Sequence, residues 1–318
     1  MRQTRSATRL AAQRRDASNQ SRSRSEAPAV EEHVENEQSA EVMFKNLSIH
    51  HDIEQLPENI TRSMTTLTKV SFMLLLSKQK KLRELCIEKQ LDQPSLKQAA
   101  KATLVFAQEE AGTAICIDPS GLLLTCSHCV SSDSEVSIHK DASDVQWLLF
   151  ASGRVVRTKC ILHDERRDLA LLQITAAQAD RRQVAGNVFR MPSNHPFPHL
   201  SIADHDPAKD GALVCIGHPG SEDLEVARPG VKTGYDTLHV SHGQYQGLAS
   251  DQDPQDNSEI GALQHDCWTY WGHSGAPLVN ASSGRLIGLH SSWDDATGMR
   301  RGIPLQAVKA FLNDQVLQ

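Results

Sequence analysis

The chain has 318 residues, 39% hydrophobic and 23% charged, with a net charge of −6. This composition suffices for a sizeable core and excludes collagenous and wholly disordered classes. The longest apolar runs, Val70 to Leu76 and Gly121 to Leu124, fall far short of the roughly 20 residues of a membrane-spanning helix, so no membrane partner is expected. The start lacks an apolar stretch of the secretory kind, and seven cysteines cannot all pair within one chain. The expectation is a reducing, intracellular setting, in cytoplasm or nucleus, with the mitochondrion as the alternative.

Residues 1 to 24 carry seven arginines against Asp16 alone, and with so little to bury they are expected to be disordered. A presequence, a basic arm and a solvated tail share this composition. No aromatic residue interleaves the arginines to stack on bases, so nucleic acid is not the expected partner. From Glu26 the sign reverses: Glu31, Glu32, Glu35, Glu37, Glu41, Asp52 and Glu54 oppose Lys45. Residues 1–58 are therefore read as a basic then acidic disordered tail. Across 59–95, Leu74, Leu75, Leu82, Leu85, Cys86 and Leu91 recur at helical steps. That pattern predicts a helical extension of one or two amphipathic helices, packed on the next domain or on a second copy in a homo-oligomer.

Residues 96–318 change to short apolar runs between turn residues: TLVFA, GTAICI, GLLLTC, VSIH, VQWLLF, RVVRTKCIL, LALLQI, ALVCIGHP, TLHV, LVN and RLIGLH. Strands so spaced predict an antiparallel barrel or sandwich. Pro304, Leu305, Val308, Phe311, Leu312 and Val316 then share one helical face, so a C-terminal helix closes the chain.

Three turns carry chemistry. A strand leads to His128 in LLLTCSHCV, RRDLALLQI puts Asp168 at the head of a strand, and WGHSGAPLVN sets Ser274 between glycines. A serine hydroxyl becomes nucleophilic when an imidazole takes its proton, and the imidazole needs a carboxylate to fix its tautomer. Gly272 can adopt the conformation that turns its N–H, with that of Ser274, toward an oxyanion. Each piece alone is unspecific; together they follow the His, Asp, Ser order of one peptidase class.

Residues from about Leu104 to Phe311 resemble a trypsin-like serine peptidase of the chymotrypsin fold, closest to the HtrA/Deg-type branch without a PDZ domain. The resemblance rests on GTAICIDPSGLLLTCSHCV, RRDLALLQI, CIGHPG, GHSGAPLVNASSGRLIGLHS and GIPLQAVKAFL. It implies an all-β domain of two six-stranded antiparallel barrels and a serine endopeptidase acting on protein or peptide substrates through an acyl-enzyme. His128 would be general base, Asp168 its orienter, Ser274 nucleophile, and Gly272 and Ser274 the oxyanion hole. Three departures stand out. His273 occupies the place of the aspartate that receives a freed N-terminus in digestive members, Ala276 replaces a glycine, and Cys129 lacks its usual partner near Ala111. For the residue before the scissile bond, His290 and Thr269 match positions that bind a carboxylate in glutamyl endopeptidases. They would favour Glu or Gln; alternatively His290 is a core histidine and Trp268 and Trp293 make the pocket apolar. No cofactor or metal is expected, since no second pair of ligands completes a tetrahedral set around Cys126, His128 and Cys129 or around His265, Asp266 and Cys267. The reading from another class is a non-catalytic scaffold that keeps the fold and assembles through its N-terminal helices.

Overall fold

The computed structural model describes residues 53–108, 112–130, 145–179 and 197–314. Strands β1 (Glu54–Leu56), β2 (Thr103–Phe106), β3 (Thr113–Asp118), β4 (Leu122–Cys126), β5 (Val145–Phe150), β6 (Val155–Asp164) and β7 (Leu169–Gln178) form one sheet in the order β1-β7-β4-β3-β2-β5-β6. Pairing of β6 with β7 closes the six strands β2 to β7 into a barrel. Strands β8 (Ala212–Gly217), β9 (His239–Leu248), β10 (Leu263–His265), β11 (Pro277–Asn280), β12 (Leu286–Trp293) and β13 (Arg300–Pro304) close a second barrel in the order β10-β13-β12-β11-β8-β9. The architecture is chymotrypsin-like, as the resemblance implied. VSIH lies outside the described residues.

Local chemistry sets the hairpins. At the β3–β4 turn, Ser120 N–H donates to the Asp118 carboxylate (2.8 Å) and Gly121, at φ +91°, closes the turn onto the Asp118 carbonyl. Every residue of β3 and β4 is buried, which is why these strands read as continuous apolar runs rather than alternating ones. Pro304 precedes the C-terminal helix α3 (Leu305–Asn313), whose Leu305, Val308, Phe311 and Leu312 are buried. Val316 lies beyond the described residues.

Helix α1 (Lys69–Leu85) begins at Thr68, whose hydroxyl accepts from Ser71 N–H (3.1 Å), and ends at Cys86 in the left-handed region. Helix α2 (Pro94–Ala102) runs directly into β2 and crosses the expected boundary at residue 95. Phe72, Leu75 and Leu82 of α1 join the common core together with Leu67, Ile87 and Leu91. Two polar residues share that buried face. Lys78, 4% exposed, donates to the Phe106 (2.9 Å) and Gln108 (2.8 Å) carbonyls. Gln79 donates to the Gly153 carbonyl (2.8 Å) and the Gln178 side chain (2.9 Å). Helices α1 and α2 thus pack on the first barrel, and α3 packs on β12 and β13 of the second.

The expected tail 1–58 needs a correction at its end, because Glu54–Leu56 is a strand. It pairs in parallel with Ala176–Gln178 of β7, beyond the point where β4 stops pairing at Gln173, and Glu54 meets Arg157 (2.8 Å). A free strand edge recruits it, although its own side chains carry little strand signal. Residues 1–52 lie outside the described residues.

Candidate active site

Register brings the first two residues together. Cys126 at the end of β4 pairs with Leu169 at the start of β7, so His128, in a single 3-10 turn after β4, and Asp168, just before β7, must meet at one barrel end. Asp168 sits at φ +55°, a conformation that aspartate tolerates better than most side chains. Its carboxylate accepts from His128 Nδ1 (2.8 and 2.9 Å), His128 N–H (3.1 Å) and Ser127 Oγ (2.9 Å). The carboxylate is buried while the His128 side chain is 48% exposed. With Nδ1–H held by Asp168, Nε2 is the basic nitrogen.

Ser274 lies in the turn before β11. Gly272 (φ +97°) and Gly275 (φ +80°) flank it in conformations that side chains oppose. A Cβ on Gly272 would strike the His218 carbonyl, and one on Gly275 would strike the Thr113 carbonyl and the Thr125 hydroxyl. The turn is held from the first barrel. Thr113 N–H donates to the Ser274 carbonyl (2.7 Å), Thr113 Oγ1 donates to the Gly272 carbonyl (3.0 Å), and Cys129 Sγ lies 3.7 Å from the Ser274 carbonyl. Among the described residues, the Gly272 and Ser274 amides donate to no acceptor. Ser274 Oγ donates to the Ser291 carbonyl (3.3 Å). The Ala276 side chain faces Gly217 of β8.

Charges at the site are strongly perturbed. Burial alone would lower the His128 pKa, but the neighbouring Cys129 and Asp168 outweigh it and raise it well above the ordinary value. Cys129 is lowered to about 6, first by its hydrogen bond with Cys126 and then by His128. Burial drives Cys126 the other way, well above the usual thiol range. Ligand atoms of Cys126, His128 and Asp168 lie within 4.8 Å of one another, so this trio could hold a metal ion, although three donors already engage Asp168. None of the seven cysteines is in a disulfide.

His273 is buried, with Nδ1 beside the Tyr270 N–H (3.1 Å) and carbonyl (3.0 Å), and burial lowers its pKa to about 3. A neutral imidazole cannot pair with an ammonium as an aspartate does. His290 is also buried, and its Nδ1 lies 3.1 Å from Nε2 of His265. Burial lowers His265 to about 3 and His290 well below the ordinary value, so the pair is neutral. Thr269 is buried and its hydroxyl has no partner among the described residues. The two tryptophans are in separate clusters. Trp268 packs on Tyr235 (5.0 Å), His239 (4.7 Å) and His273 (5.5 Å), whereas Trp293 packs on Trp271 (4.8 Å). Sequence reasoning missed Ser127, Thr113, Ser291 and the pairing of His265 with His290. Ser127 beside the histidine was readable as a local donor; the others depend on contacts between strands distant in sequence.

Comparison with known proteins identifies the family. A family model described as a trypsin-like peptidase domain matches residues 112–289. Serine protease HTRA1 of Xenopus tropicalis is 25% identical over 203 residues, covering 64% of this chain and 35% of that protein, so the chain spans about a third of that relative's length. Among solved structures, a serine endoprotease of Yersinia pestis is similar at 20% identity (TM-score 0.47, 70% of this chain and 66% of that one). A protein of Mycobacterium tuberculosis, solved as a serine-to-alanine mutant in an inactive form, is similar at 13% identity (TM-score 0.48, 71% and 91%). The chain belongs to the trypsin-like peptidase domain family.

Proposed function

We propose that the protein is a serine endopeptidase that cleaves protein or peptide substrates through an acyl-enzyme. The observation that carries the reading is the carboxylate of Asp168, buried and hydrogen-bonded to both His128 Nδ1 and His128 N–H, at the barrel end where Ser274 is tied to Thr113. In the first step Ser274 Oγ bonds to the scissile carbonyl carbon while its proton passes to His128 Nε2. The oxyanion takes hydrogen bonds from Gly272 and Ser274 N–H, each of which has no other acceptor among the described residues. His128 then returns the proton to the leaving amine as the C–N bond breaks, and water, activated by the same imidazole, frees the acyl group.

For specificity, Thr269, whose hydroxyl has no partner among the described residues, and His290, held through Nδ1 by His265, are the donors that would favour Glu or Gln before the scissile bond; both are buried, so the alternative, His290 as a core histidine beside an apolar pocket, is the second reading. An imidazole N–H and a hydroxyl can both donate to the side-chain oxygen. Labelling by a fluorophosphonate probe tests the mechanism. The native chain should label and Ser274→Ala should not; an unlabelled native chain supports the scaffold alternative instead. Peptide-library profiling tests the pocket, where Glu or Gln preference should vanish in His290→Ala.

A further inference from the structure

The short turn that carries His128 has a cysteine at each end. Cys126, the last residue of β4, is buried, and Cys129, which closes the 3-10 turn Ser127–Cys129, is half-buried. The two thiols share a hydrogen bond. Ser127 and His128 between them have helical geometry, and Val130 N–H donates to the Ser127 carbonyl (3.0 Å). Two helical residues bring the flanking Cα atoms within about 7 Å of each other, which is the reach of a disulfide. Both sulfurs stand free of one, and no step of the mechanism uses them.

We propose that Cys126 and Cys129 are a peroxide-responsive pair that closes to a disulfide around His128 and switches the site off. Cys129, the more exposed of the two, reacts first. Its sulfur bonds to one oxygen of hydrogen peroxide, the O–O bond breaks, and the departing hydroxide takes up the thiol proton as water, which leaves a sulfenic acid. The Cys126 sulfur needs no access from outside, because it already touches Cys129. It bonds to the Cys129 sulfur, the S–O bond breaks, and the hydroxide leaves with the Cys126 proton as a second water. Two thiols are oxidised and one peroxide is reduced to two waters; a dithiol reductant reverses the change by exchange.

The two ends of the turn differ in freedom. Cys126 is paired with Leu169 of β7, and its Sγ lies 3.5 Å from the His290 carbonyl in the core. Cys129 lies beyond the strand, with Sγ 3.7 Å from the Ser274 carbonyl. A covalent bond draws the sulfurs closer than a hydrogen bond holds them, so the Cys129 end moves and His128 moves with it. That turn delivers Ser127 Oγ, His128 N–H and His128 Nδ1 to Asp168. A shift of about 1 Å in a catalytic group costs on the order of 10²-fold in rate. This loss of activity rests on the peptidase reading, whereas formation of the disulfide does not.

The test treats the full native chain with hydrogen peroxide, blocks the remaining thiols with N-ethylmaleimide, and reads intact mass, mapped peptides and the rate of fluorophosphonate labelling. A loss of two hydrogens should map to Cys126 and Cys129, labelling should slow by at least about tenfold, and dithiothreitol should restore both. In Cys126→Ala the second step has no thiol, so Cys129 should stop at the sulfenic acid and be trapped by dimedone. A disulfide from Cys129 to any other cysteine, over-oxidation of Cys129 in the native chain in place of a disulfide, or survival of both thiols overturns the proposal. Labelling undiminished by a complete disulfide overturns the switch. A chain that labels neither before nor after oxidation overturns the peptidase reading, and the mass still decides the disulfide.

Discussion

Truncating one leucine of α1 tests whether the extension belongs to the peptidase fold. Leu75 is 0% exposed and lies in the common core. Leu75→Ala removes three carbons and leaves a cavity that the packed barrel cannot fully close, at a cost of about 3 kcal/mol. In a domain of this size each kcal/mol lowers Tm by about 2–4 °C, so a fall of about 9 °C is expected. Met73, two residues away and 58% exposed, is the control: Met73→Ala should move Tm by no more than about 1 °C. Melting followed by circular dichroism supplies the measurement. The same logic applies to truncation. Leu56, Ile60, Leu67, Phe72, Leu75, Leu82, Ile87 and Leu91 all precede Asp92 and are all buried. At about 2 kcal/mol each their gross contribution rivals the whole stability of a typical domain. A chain beginning at Asp92 should fail to fold cooperatively. If that shortened chain melts within about 2 °C of the native one, or if Leu75→Ala behaves like Met73→Ala, the extension is an appendage and the reasoning fails.

Four further outcomes are expected. Asp168→Asn should lower kcat by about 10⁴-fold with the fold intact, because the amide favours the wrong tautomer of His128; hydrolysis of a fluorogenic peptide reads it. Cys129→Val should move the acid limb of the kcat/KM profile to lower pH. Activity is lost as pH falls through the raised His128 pKa, the Cys129 thiolate helps to raise it, and removing the thiolate lowers it again; an unchanged limb refutes the coupling. Gly275→Ala should abolish probe labelling, since the new Cβ meets the Thr113 carbonyl and the Thr125 hydroxyl at a φ that opposes side chains. Thr113→Val should cost about 1–3 kcal/mol in a urea melt, because the His218 N–H and Gly272 carbonyl lose their shared hydroxyl. It should also lower kcat more than it raises KM, a split that a purely structural role would not produce.

Local signals made much of this architecture readable. His128, Asp168 and Ser274 each stand in a strand-and-turn context a few residues long, and the β4–β7 register then leaves the first two no choice but to meet. Helix α1 was readable as a helix, but the partner of its buried face was not. Lys78 and Gln79 interrupt the apolar stripe, and their place in it makes sense only once the Phe106 and Gly153 carbonyls are there to receive them. Strand β1 is legible only from the exposed edge of β7, since Glu54, Gln55 and Leu56 form no apolar run. His265 and His290 stand on β10 and β12 with β13 between them, a proximity that depends on barrel closure. The same is true of Trp268 and Trp293, which share a pocket in sequence reasoning and occupy two clusters in the fold.

The oxyanion turn is secured from two directions that differ in their exposure. On one side, Thr113 of β3 holds the Ser274 and Gly272 carbonyls with its amide and its hydroxyl, and Thr125 of β4 holds the Thr113 carbonyl in turn (2.7 Å). Both threonines are fully buried inside the first barrel, so this clamp shares the rigidity of the core. On the other side, residues 218–220 approach the turn through the His218 and Gly220 amides. Their loop continues to Lys232 and Tyr235, which border a cavity reached from α1. The first clamp is buried throughout, whereas the loop that carries the second runs on to the exposed Lys232 and Tyr235, so a local opening loosens the second before the first. The buried clamp fixes where the amides can point, and the second holds the adjoining Trp271 carbonyl from a loop that is open to solvent.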